Sequence, residues 1–92
     1  MALVAEVKDS VAAGFASFPE AVRVCMSRNP QADGAVHVQV AVRDPSDRDV
    51  RLGIYQKEQE IIREFERLDF DFEIVSSQEA FDSSLDLTFS RS

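Results

Sequence analysis

The chain predicts an α+β two-layer sandwich: a four-stranded, mostly antiparallel sheet with two helices on one face, in the order α-β-β-α-β-β. Three observations carry this. A helical stripe from Ser46 to about Leu68 runs almost without a loop into an alternating strand, Asp69 to Val75. Val36, Val38, Val40 and Val42 alternate with His37, Gln39, Ala41 and Arg43. Each predicted strand has one apolar face, so a layer of helices on one side of the sheet suffices to bury it.

Residues 2–18 read as the first helix. Val4, Val7, Val11, Phe15 and Phe18 share one face, and Pro19 stops it because the residue before a proline is pushed out of the helical region. Gly14 and the valines make it weak without tertiary packing. Residues 20–28 admit two readings. Val22, Val24 and Met26 alternate with Arg23, Cys25 and Ser27, which favours a strand; Ser17 to Glu20 also fits a capping box before a helix. The strand is preferred, since Val24 would lie on the polar side of that helix. Asn29 to Gly34 is loop-like, and the valine strand after it should close a hairpin.

Asp44, Pro45, Ser46 and Asp47 form a turn and helix-start signal, with Ser46 or Asp47 as the cap. Val50, Ile54, Ile61, Phe65 and Leu68 then make one narrow stripe, widened on one side by Tyr55 and Ile62. Gly53 inside this run marks close packing or a later helix start. In the strand that follows, Phe70, Phe72 and Ile74 face one way; Asp69, Asp71 and Glu73 face the other. A crossover helix implies that its flanking strands are parallel. Ser76 to Ser84 is a polar connection, and Leu85, Leu87 and Phe89 alternate with Asp86, Thr88 and Ser90 in a last strand. The hairpin–helix–strand order over roughly residues 20–75 is similar to that of the ferredoxin-like domains of small regulatory proteins and of the soluble ends of cation-efflux transporters. The likeness implies a fold; one fold hosts many activities, so it implies no function.

Ninety-two residues suit one domain, and one cysteine, Cys25, fits a reducing cytoplasm without an internal disulfide. The start of the chain has no basic segment of the signal-peptide kind, and no apolar run is long enough to span a bilayer. The formal charge is −7, with −5 of it in residues 69–92. Such a balance argues against nucleic acid or an anionic membrane as partner, since both require a basic footprint.

Glu58 is the carboxylate out of place, set between Ile54, Ile61, Ile62 and Phe65 on the helix wheel. It reads either as a partly buried acid with a raised pKa in a ligand pocket with Tyr55 and Arg51, or as a side chain that reaches out past the helix edge or forms a structural ion pair with Arg51 or a strand residue. Asp69, Asp71 and Glu73, about 7 Å apart in succession, with Asp86 beside them, would be hard-oxygen metal ligands or, more commonly, a solvated face. We expect no metal and no cofactor. His37 and Cys25 share a face but lack activating surroundings for nucleophilic catalysis.

Two functions follow. The first is a non-catalytic interaction or regulatory module that self-associates as a homodimer through the outer sheet face, Arg23, His37 and Arg43 of one copy meeting Asp69, Asp71, Glu73 and Asp86 of the other. The second is a small ligand-binding domain or enzyme using Glu58, Tyr55 and Arg51. A pocket beside Glu58 favours the second.

Overall fold

Why these residues form these elements is clearest at the start of the second helix. In a computed structural model, which describes residues 2–27, 35–78 and 85–90, Asp47 caps it. The Asp47 carboxylate accepts from the backbone N–H of Asp49 at 2.9 Å and of Val50 at 3.4 Å. Just before it, Asp44 accepts from both Ser46 N–H and Ser46 Oγ, and these bonds hold the Asp44 carboxyl below its ordinary range. The elements are α1 (Ala2–Ala16), β1 (Ala21–Ser27), β2 (Ala35–Val42), α2 (Arg48–Glu64), β3 (Asp69–Ser76) and β4 (Leu85–Ser90). The predicted order therefore holds, and residues 20–28 are a strand. Both helices are shorter than predicted: α2 ends at Glu64 because Phe65 leaves the helical region at φ −123°, ψ 63°.

The sheet order is β3-β2-β1-β4. β1 pairs antiparallel with both β2 and β4, and β2 pairs parallel with β3 across the α2 crossover. The likeness to ferredoxin-like domains extends only to the hairpin–helix–strand order of β1, β2, α2 and β3. It stops at the sheet, because there the crossover is split by an intervening strand, whereas β2 and β3 are direct neighbours.

Val7, Val11 and Phe15 of α1 and Val50, Ile54 and Ile61 of α2 pack on Val24, Met26, Val36, Val38, Val40 and Val42, all buried. Phe70, Phe72 and Ile74 face this layer as expected, opposite Val36, Val38 and Val40, but are only partly buried, as are Phe65 and Leu68. The reason is topological: β3 is an edge strand, so its side chains have a neighbour on one side. Gly53 is the close-packing site. A Cβ there would lie 2.5 Å from Phe18 Cε1, so the Phe18 ring sits where a side chain would be.

Two bulges change what alternation implies. Val22 is an extra residue in β1, so Ala21, not Val22, pairs with Val42 in the core. Thr88 is an extra residue in β4: Phe89 pairs with Val24 on the helix side, while Leu87 pairs with Cys25 on the outer side. Asp86, expected on the outer face, is thereby carried to the helix side, opposite Met26, where Lys8 Nζ of α1 reaches its Oδ2 at 3.2 Å.

Candidate functional site

Residues Arg48, Arg51, Leu52, Tyr55 and Glu58 repeat at helical spacing and so make a second stripe on α2, adjacent to the buried one. Together with Ser46 and with Ile74 of β3 they line an open cleft of about 630 Å³. The three candidate ligand-binding residues thus come together: Glu58, Tyr55 and Arg51 line one cavity. The expectation that Tyr55 and Ile62 widen the buried stripe is corrected. Tyr55 is 57% exposed, and Leu52 and Ile62 are exposed with it. The cause is again the edge position of β3, which among the described residues has no strand beyond it for this flank of α2 to cover.

Glu58 is half-buried, and burial pushes its carboxyl above the ordinary glutamate range. It makes no hydrogen bond or ion pair among the described residues, so the alternative of a structural pair with Arg51 is not what is seen. The cleft is therefore zoned. Arg48 and Arg51 are cationic donors near the start of α2, Leu52, Tyr55 and Ile74 form an apolar wall, and Glu58 is a desolvated acceptor at the far end. Arg48 and Glu58 are ten residues apart, about 15 Å along the helix. Such a surface can hold an elongated amphipathic ligand. Ser46, the hydroxyl in the lining, is taken up by Asp44, at 2.6 Å from its Oδ1.

The outer sheet face is arranged differently from its expected form. Asp71 and Glu73 lie on it beside His37 and Gln39, their parallel partners. His37 Nδ1 is 3.1 Å from Asp71 Oδ2, its Nε2 is 3.6 Å from Glu73 Oε1, and Gln39 Nε2 donates to Glu73 at 3.2 Å. His37 is thus engaged within its own chain. Arg23 is on the outer face of β1, half-buried; Arg43 is exposed just past the end of β2; Asp69 is exposed at the start of β3. With Asp86 on the opposite side, the four carboxylates do not converge. Cys25 is buried and pairs with Gln39, so the thiol and His37 are not set opposite one another.

Sequence reasoning missed Leu52, Arg48 and Ile74 as lining residues. The signal for the first two was present: Arg48 extends the Arg51, Tyr55 and Glu58 series by one turn, and Leu52 lies within it, three residues before Tyr55. Ile74 was assigned wholly to the core. No helix of the described residues is long and apolar enough to cross a membrane. No protein-family model matches this chain, and no curated protein is significantly similar to it in sequence.

Proposed function

We propose that this chain is a non-catalytic binding module whose site is the cleft between α2 and β3. One observation carries the reading: Arg51, Leu52, Tyr55 and Glu58 of α2, with Ile74 of β3, line one open cavity of a size that small ligands and side-chain anchors fill, about 300–1,000 Å³. A carboxylate kept half-buried with no partner among the described residues has an unmet demand for a donor. A cytoplasmic location is part of this reading, and a buried free Cys25 is compatible with it. The test is an NMR titration of the amide shifts with 4-phenylbutyrate and 4-phenylbutylamine. Shifts confined to α2 and the Ile74 region, lost in Tyr55→Ala, support the reading. No shifts at millimolar probe, or shifts centred on another surface, contradict it.

The second reading is a homodimer through the outer sheet face. Leu87 favours it, being 52% exposed on that face beside the buried Cys25 and Leu85. The internal engagement of His37 moves the centre of such a contact from the charged half to β1 and β4. Light scattering tests it: a dimer that persists in high salt and dissociates in Leu87→Lys supports it, and a monomer at high protein concentration contradicts it.

A further inference from the structure

We infer that the free edge of β3 accepts a fifth strand from a partner polypeptide in which basic and apolar residues alternate. This rests on the cleft reading above and names the partner of that same site. β3 is outermost in the sheet order. Its register with β2 is unbroken from Ala35 opposite Asp69 to Val42 opposite Ser76. A straight edge of eight residues offers a row of backbone N–H and C=O groups as a template. The other edge, β4, has six residues and is interrupted by the Thr88 bulge, a feature that twists an edge away from pairing.

The two faces of β3 state what the added strand must carry. On the outer side stand Asp69, Asp71 and Glu73. The Asp71 and Glu73 side chains are 76% and 51% exposed, and both lean on the same single imidazole, that of His37. Cross-strand positions opposite them call for lysine or arginine. On the helix side stand the partly buried Phe70, Phe72 and Ile74, bordered by the exposed Leu52 and Tyr55 of α2. Positions opposite these call for apolar side chains, which would enter the cleft. The roughly 15 Å between Arg48 and Glu58 matches about five residues of extended chain.

A second copy of β3 does not meet these demands. Antiparallel pairing about a two-fold axis sets residues of the same face opposite each other, so carboxylates would meet carboxylates, which is destabilising. The acidic row repels its own kind and selects a basic strand. Main-chain bonds would then supply affinity, and the alternate side chains specificity.

The probe is a fluorescent heptapeptide, Lys-Val-Lys-Val-Lys-Val-Lys, titrated into the full chain. Its controls are a peptide of the same composition with lysines and valines in separate blocks, and an alternating Glu/Val peptide. The proposal expects saturable one-to-one binding of the alternating Lys/Val peptide, at least about tenfold tighter than the block peptide. It expects protection of β3 amides from hydrogen exchange and weaker binding in salt. In Asp71→Lys, a surface change whose folding is checked by circular dichroism, the Lys/Val peptide should weaken by at least about tenfold and the Glu/Val peptide should gain. Equal affinity for the alternating and block peptides, protection at β4 in place of β3, or no binding at millimolar peptide overturns it. If the phenylbutyl probes still fill the cleft while the peptide fails, the strand partner is wrong and the cleft reading stands; if neither binds, both fall.

Discussion

Glu58 shows how one misplaced side chain carries a measurable consequence. Its folded pKa is raised by burial, so the contribution of this group to stability is fully present below the ordinary glutamate value, about 4.3, and is lost as pH rises through the raised folded value. Glu58→Gln removes that loss. The variant should be more stable than the parent at neutral pH, with the gap closing as pH falls below the ordinary glutamate range. Urea unfolding at a series of pH values checks this, and superimposable stability profiles would contradict it. Gly53 gives a second prediction with opposing terms. Alanine gains about 1 kcal/mol of helix propensity, but its Cβ would meet Phe18 Cε1 and Cζ at 2.5 and 2.8 Å. Overpacking costs roughly 1–3 kcal/mol, so Gly53→Ala should be net destabilising by about 1 kcal/mol. The clash should disappear when Phe18 is also replaced by alanine, so a double-mutant cycle in thermal unfolding must show coupling between the two positions.

At the scale of elements, the edge position of β3 orders the mutational costs. Phe15 of α1 is fully buried, and Phe15→Ala should cost about 3–5 kcal/mol. Phe72 is only partly covered, although it stacks on Phe70 with centroids 5.6 Å apart, so Phe72→Ala should cost roughly half as much. Equal losses in denaturant unfolding would mean that β3 is covered by something beyond α2. The Thr88 bulge makes a different prediction: its Oγ1 is buried without a hydrogen-bond partner among the described residues. Thr88→Val should therefore be neutral or stabilising by about 1 kcal/mol, against the usual direction of a change beside a core. These elements also show where sequence patterning is informative. The four valines of β2 and the Phe70, Phe72, Ile74 alternation of β3 name their faces correctly, because a regular strand has a period of two. Val22, Asp86 and Leu87 were misplaced because one extra residue inverts every side chain beyond it, and nothing in the local composition marks either bulge.

For the molecule as a whole, element order was legible in the periodicities, and strand order was not. Which strands become edges depends on long-range pairing, and that choice decided the depth of Phe72, the exposure of Tyr55 and Leu52 and the existence of the cleft. Glu58, Tyr55 and Arg51 were recognisable in the chain because the helical period alone sets them on one flank. Ile74 was not, since its role depends on β3 ending the sheet. In the proposed module the flank of α2 and the free edge of β3 form a single binding surface. Its most direct test is a set of intermolecular NOEs between an isotope-labelled sample of this chain and the alternating Lys/Val peptide. The account predicts NOEs from peptide Hα protons to the β3 backbone and from valine methyls to the Tyr55 ring and Ile74. NOEs that lead to β4 or to the outer face around Leu87, or a spectrum unchanged by millimolar peptide, would contradict it.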